Sequence, residues 1–183
     1  MAVFGTLWAY TGIMGLEGLG GPLLLLTAVA IGIALISCGV SLIRATGELT
    51  NQVSKEDLRR GKRRRVWFNV IFAAEGLAIA ITIAVSNVTR HTELIPVLIA
   101  IIVGVHFLPL ASLFHVKLYY FTGALLCLLA ISTLLFLPAK ISLGEHQINT
   151  FMSVVGFGSA LILWGTSLAI WLMGRSLKYS TIK

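Results

Sequence analysis

The feature that most constrains this chain is a series of five apolar runs, each about as long as a lipid bilayer is thick. The runs are residues 22–43, 66–88, 94–114, 118–137 and 151–173. At about 1.5 Å of rise per residue, a helix of about 20 residues crosses roughly 30 Å of hydrocarbon. The runs lack the alternation of polar and apolar residues that is typical of a membrane β-barrel. The sequence therefore predicts an all-α, polytopic integral membrane bundle with five transmembrane helices.

Composition supports this class and excludes several others. Only 11% of the 183 residues are charged, whereas an average soluble domain has roughly 25%. A soluble globule, a disordered chain and a disulfide-stapled secreted module are therefore excluded. The two cysteines lie inside apolar runs and form no metal-ligand spacing. We expect a single membrane domain over residues 1–183, with no soluble domain, no metal and no cofactor.

The segment before the first run is apolar but short. Residues 3–16 are too few for a comfortable span, and a cluster of glycines follows. The cluster consists of Gly12, Gly15, Gly18, Gly20 and Gly21. We interpret residues 1–21 as an interfacial or re-entrant segment on the outer side, with Trp8 and Tyr10 at the level of the lipid headgroups.

The distribution of basic residues predicts the orientation. Eight of the 14 Lys and Arg residues lie in the link 44–65. Alternation through five spans places 12 basic residues on one face and two, Arg90 and Lys140, on the other. By the positive-inside rule, the N-terminus is predicted outside, the C-terminus cytoplasmic and 44–65 a basic cytoplasmic loop. A bacterial plasma membrane is the expected location. Ser54 and Asp57 resemble a capping box, so a helix can begin there and continue into the second span.

Glu75 lies in the middle of the second predicted span. An acidic residue at mid-helix costs about 2.5 to 3.5 kcal/mol of insertion free energy, so it is expected to face the bundle interior and to have a partner. Thr82 and Ser86 lie on the same helix face and form a polar stripe toward the outer surface. The alternative is a protonated Glu75 that is hydrogen-bonded to a neighbouring backbone group or hydroxyl.

His106 is the expected partner of Glu75. Counted from the cytoplasmic ends of adjacent antiparallel spans, Glu75 lies about 13 Å deep and His106 about 12 Å. Such a pair can share a proton, bind a cation or hold a polar ligand. The alternative is a neutral histidine bonded to a carbonyl group. Pro109 frees the carbonyl of Val105 and predicts a kink beside His106.

Two further residues reach a similar depth by the same counting. Cys127 and Trp164 are each nine residues from the cytoplasmic end of their run, so both are candidates to line a cavity at the level of Glu75. The alternative is that both are ordinary packing residues, since a buried Cys usually acts as a small hydrophobe.

A basic run precedes the second span. Its charges can bind anionic lipid headgroups or simply anchor the topology. The candidate headgroup residues are Arg59, Arg60, Lys62, Arg63, Arg64 and Arg65. Nucleic acid is not an expected partner, because no aromatic residues are interleaved with these charges.

Three functions remain open on the sequence. The first is a small transporter or channel-like protein, working as a homo-oligomer, in which Glu75 and His106 form a protonatable site for a small ion or small molecule. The second is a non-catalytic accessory subunit, sensor or lipid-binding protein. The third is a membrane-embedded enzyme acting on a lipid or isoprenoid, with Glu75 or His106 as general acid or base. The chain has only one Asp, Asp57, so metal-dependent phosphotransfer is disfavoured and no catalytic residue is assigned.

Overall fold

The computed structural model describes residues 1–47, 55–143 and 146–181. Within them, helices account for nearly all of the structure. The elements are α1 (Ala2–Gly15), α2 (Gly21–Gly47), α3 (Lys55–Val88), α4 (Ile95–Phe114), α5 (Leu118–Phe136), β1 (Lys140–Leu143), β2 (His146–Asn149) and α6 (Thr150–Thr181), with a short 3-10 turn at Thr92–Leu94 before α4.

Five of these helices have the length and apolarity needed to cross a membrane. Their membrane-compatible stretches are Gly21–Ser41, Gly61–Val88, Thr92–Phe114, Leu118–Phe136 and Thr150–Arg175. The prediction of five such helices is confirmed, with ends that agree to within a few residues. The largest difference is at the start of the second stretch, where α3 continues without a break through the basic run.

The segment 44–65, predicted as a loop in which a helix begins near Ser54, contains this helix and a longer end of α2 than expected. α2 extends to Gly47 and α3 begins at Lys55, so most of this segment is helical. The helix start at Lys55 agrees with the predicted capping pattern, although Ser54 itself lies outside the described residues. The arginines favour helix and do not interrupt it, since Arg has a high helix propensity.

The N-terminal segment is a helix that packs with one face against the bundle. α1 has 14 residues and lies along α6, with Trp8 only 8% exposed. Trp8 joins the buried core, whereas Tyr10 is exposed, and the placement of both residues at the level of the lipid headgroups stays a prediction. Gly12 lies directly against Gly156, so the two backbones approach closely where no side chain intervenes.

The glycine cluster does end this first helix, as expected. Between α1 and α2, Glu17, Gly18 and Gly20 have φ values of 48°, 100° and 66°. Positive φ is readily adopted by glycine and rarely by other residues. The chain thus turns after Gly15 and enters α2 at Gly21.

The link between α5 and α6 forms a short β-hairpin, which was not predicted from the sequence. β1 and β2 pair antiparallel, with Ile141 opposite Ile148. The Thr150 N–H donates to the Ala139 carbonyl oxygen at 3.0 Å, and the Met152 N–H donates to Asn149 Oδ1 at 3.1 Å. Asn149 therefore caps the first turn of α6.

The core lies among α1, α4, α5 and α6. Its best buried residues, each at most 1% exposed, are Ala9, Val97, Ala100, Leu126, Ala130, Val155, Ala160 and Leu163. By contrast, no residue in the most apolar stretch of α3 is buried, and few are in that of α2. These two helices lie at the periphery, and α3 packs mainly on α4.

Candidate functional site

Glu75 and His106 meet at the interface between α3 and α4. His106 Nδ1 lies 3.3 Å from Glu75 Oε2, and the side chains are only 6% and 13% exposed, respectively. Both residues lie near the middle of their apolar stretches. The counting of depth along adjacent antiparallel helices therefore predicted the contact correctly; the role of the pair stays a prediction.

The contact leaves hydrogen-bonding capacity unused. His106 Nδ1 has no partner with hydrogen-bond geometry among the described residues. In the described ranges, no hydroxyl or amide group forms a hydrogen bond with the Glu75 carboxyl group. The backbone of Ile71 is the other polar group close to the His106 imidazole. The acid thus lies 3.3 Å from a titratable base, and their contact does not have the geometry of a hydrogen bond.

Aromatic rings enclose the imidazole. Phe72 lies edge-on to His106 with 4.8 Å between ring centroids, and Phe107 lies at 5.9 Å. Phe72 also contacts Phe4 of α1 at 6.4 Å and Phe68 at 4.6 Å. Phe68, Phe72 and Glu75 follow helical spacing on one face of α3. An apolar enclosure strengthens electrostatic interactions inside it, so the pair is strongly coupled to any charge that enters.

The predicted polar stripe continues along α3. Ser86 is buried, with 5% exposure, and Thr82 is partly buried. Thr82 is seven residues from Glu75, or about 10 Å along the helix. No hydrogen bond joins either hydroxyl to Glu75 in the part of the chain that the structure describes. Both residues remain candidates for a path toward the site and are not part of the pair itself.

Cys127 lies on α5 and contacts α4 on a different face from the one that carries His106. Its Sγ lies 3.8 Å from the Ile101 carbonyl oxygen, and it packs where Gly104 leaves space. Gly104 and His106 are two residues apart on a helix, so they point to nearly opposite sides. Cys127 therefore does not join the pair.

Trp164 also lies away from the pair. Its indole covers Gly5 of α1, where a Cβ would come within 2.5 Å of Trp164 Cδ1. The indole Nε1 is buried without a hydrogen-bond partner among the described residues. The depth count placed Cys127 and Trp164 at a shared level, but depth alone does not give the direction in which a side chain points.

Pro109 lines an open groove between α3 and α4, with a volume of about 460 Å³. α3 contributes Arg63, Arg64, Trp67 and Ile71 to this groove. α4 remains helical through Pro109, and the kink expected beside His106 stays a prediction. The groove begins at the basic run and approaches Ile71, one turn of α3 before Glu75.

This groove was not predicted from the sequence. A signal was present, since residues 63, 64, 67 and 71 lie on one face of a helix. That face could be matched to α4 only once the two helices were known to pack together.

The described side chains of the basic run are exposed. Lys62, Arg63, Arg64 and Arg65 are exposed, whereas the side chains of Arg59 and Arg60 lie outside the described residues. Of the four described, only Arg63 and Arg64 line the groove. In the described residues, no group of three or more His, Cys, Asp or Glu side chains is placed to hold a metal ion.

Comparison with known proteins gives one informative result. The chain matches no curated protein and no solved structure. A family model described as a family of unknown function, DUF7010, matches residues 66–166, which is more than half of the chain. The matched region contains Glu75, His106 and the interface between them. The protein therefore belongs to the DUF7010 family.

Proposed function

We propose that this is a small membrane transport protein in which Glu75 and His106 form a protonatable site near the bilayer midplane. The observation that carries the proposal is the 3.3 Å approach of Nδ1 to Oε2 between two largely buried side chains. The site would pass protons, or a small ligand in exchange for protons, across the membrane.

The chemistry of the pair suits this function. An acid at mid-membrane opposes insertion by about 2.5 to 3.5 kcal/mol, and such residues are functional by default. A carboxyl group beside an imidazole can hold one shared proton, or can release it and accept a cation. The unused hydrogen-bonding capacity of His106 Nδ1 supports a site that changes its occupancy.

Polar features on both sides of the pair support access to it. The groove at Arg63 and Arg64 approaches from the basic end of α3. Thr82 and Ser86 continue the same helix toward its other end. By the positive-inside rule, the groove would open to the cytoplasm of a bacterial cell and the hydroxyl stripe would lead outward.

We propose that the transporting unit is a homo-oligomer. α2 and α3 carry large exposed apolar side chains, such as Leu23 at 72% and Leu77 at 63% exposure. Five short-linked helices form a thin bundle, in which Glu75 lies on a peripheral helix. A second copy packed on α3 would enclose the site more completely.

The test is proton flux into proteoliposomes loaded with a pH-sensitive dye and driven by a potassium diffusion potential. We expect wild-type protein to acidify the lumen above the rate of protein-free vesicles, and Glu75→Gln to abolish this flux. Glu75→Asp should retain part of it, because the carboxyl group is preserved.

The chain offers a matched control. Glu93 pairs with His91 at 3.1 Å, but this pair is exposed. Glu93→Gln therefore removes a carboxylate from a similar pair outside the proposed site and should leave flux unchanged. Wild-type vesicles that behave like empty ones, or full flux in Glu75→Gln, would contradict the proposal.

A further inference from the structure

The groove between α3 and α4 has two chemically different parts. Arg63 and Arg64 lie at one end, and Trp67, Ile71 and Leu113 form apolar walls. From Arg63 to Ile71 the groove follows α3 for eight residues, or about 12 Å. Its volume of about 460 Å³ is within the range of roughly 300–1,000 Å³ found for small-molecule sites.

The charged end is not neutralised within the described chain. Neither Arg63 nor Arg64 lies within ion-pair distance of an acidic side chain there, since the ion pairs in the described ranges are His91–Glu93 and His106–Glu75. Two adjacent guanidinium groups present several N–H donors in planar forks. This arrangement matches the oxygens of a phosphate group.

The other wall of the groove is held in place. His115 ends α4 in a left-handed conformation with φ 56°, and its Nδ1 lies 2.7 Å from the Ser112 carbonyl oxygen. This hydrogen bond uses the ring nitrogen nearest the backbone and restricts the movement of the imidazole, which lines the groove. The wall is thus formed before any ligand arrives, which lowers the entropy cost of binding.

The apolar end indicates where the phosphate comes from. A free phosphate ion has nothing to place against Trp67, Ile71 and Leu113. A phospholipid has an acyl chain that can lie there, and the apolar stretch of α3 is unburied, so lipid can enter from the side. Arg side chains at a helix end are also suited to extend toward headgroups.

We propose that this groove binds an anionic membrane phospholipid, with its phosphate held by Arg63 and Arg64 and an acyl chain along Trp67 and Leu113. This inference does not depend on the proposed transport function. It is also narrower than binding by the whole basic run, because only two of its described charges line the groove.

Native mass spectrometry of the purified protein with phosphatidylglycerol tests the charged end. The double variant Arg63→Gln/Arg64→Gln should bind more weakly by at least about tenfold, because it loses charge-assisted hydrogen bonds to the phosphate. The control Lys62→Gln/Arg65→Gln removes two exposed charges of the same run that do not line the groove and should change binding by less than about threefold. An equal loss in both variants would mean diffuse attraction and would overturn the proposal.

Two competitors distinguish the sources of the phosphate. Phosphatidylcholine with the same acyl chains should bind more weakly than phosphatidylglycerol, and millimolar inorganic phosphate should not displace the lipid. Equal binding of the zwitterionic lipid, or displacement by phosphate alone, would overturn the proposal.

Fluorescence quenching tests the position of the acyl chain. It uses the folded protein and leaves its charges unchanged. Phosphatidylglycerol with brominated acyl chains should quench tryptophan fluorescence more in the wild type than in Trp67→Phe. Identical fractional quenching of the two proteins would show that no chain lies beside Trp67, and would overturn this part of the assignment.

Discussion

Two helix interfaces in this protein are built in opposite ways. Between α1 and α6, Gly12 lies against Gly156 and the backbones touch, and Gly5 receives the Trp164 ring. Between α3 and α4, aromatic rings, a carboxyl group and an imidazole fill the space. The first interface has no room for a ligand, whereas the second has polar groups and an adjoining groove.

The difference indicates which part of the bundle is scaffold and which part can change. Close contact through small residues gives membrane helices their van der Waals stabilisation. A peripheral helix with few buried residues can shift at low cost, and functional elements are commonly the less stable ones. We therefore expect α1, α4, α5 and α6 to hold the frame against which α3 positions Glu75.

The largest expected effect concerns the glycine contact. Gly156→Ala would place a Cβ 2.5 Å from the Gly12 Cα. Because both partners are backbone, the helices must separate, and we expect a loss of about 3 kcal/mol in the free energy of unfolding. Reversible unfolding in detergent micelles measures this loss.

Gly76→Ala is the control, at an exposed position of α3. The new methyl group meets open space, and Ala is favoured over Gly in a helix by about 0.5–1 kcal/mol. This variant should be as stable as the wild type or slightly more stable. Equal losses in the two variants would show that the loss in Gly156→Ala does not come from its contact with the Gly12 backbone.

The next effect concerns the energetic coupling of the buried pair. A double-mutant cycle with Glu75→Gln and His106→Gln should give a coupling of about 2 kcal/mol, since both groups are shielded from solvent. The same cycle on His91 and Glu93 should give a smaller coupling, because water screens that exposed pair. Couplings of equal size would contradict the importance that we assign to burial.

A smaller effect tests the ring packed against the imidazole. Phe72→Leu removes an edge-on contact with His106 at 4.8 Å and should cost about 1 kcal/mol of unfolding free energy. Phe121→Leu is the control, because Phe121 is 69% exposed. A loss as large in the control would show that side-chain size, and not the contact with His106, accounts for the cost.

The smallest effect is expected at Cys127 and Trp164, which were predicted at the depth of Glu75 but whose side chains point away from it. Cys127→Ala and Trp164→Phe should change proton flux by less than about twofold, since neither residue contacts the pair and separated sites act independently. The flux assay described above measures this. Loss of flux in Cys127→Ala comparable with that in Glu75→Gln would place the thiol in the pathway.

Part of the fold and part of the site could be predicted from local pattern. Apolar runs of spanning length predicted five helices, and equal depth on adjacent helices predicted that Glu75 meets His106. Both arguments need only helical rise and the antiparallel order of neighbours. The hairpin at β1 and β2 was missed because its strands are four residues each, which is too short for a clear alternating pattern.

The sequence by itself determined that the chain is apolar, helical and organised around a costly acid, because hydrophobic length and helical spacing are local properties. Only the tertiary structure decided that α1 packs against the bundle and that Cys127 and Trp164 face away from the pair. It also decided that Arg63 and Arg64 line a groove together with α4. Those facts depend on the rotation of each helix about its axis. Rotation is determined by how the side chains of neighbouring helices interlock, and no single helix carries that information.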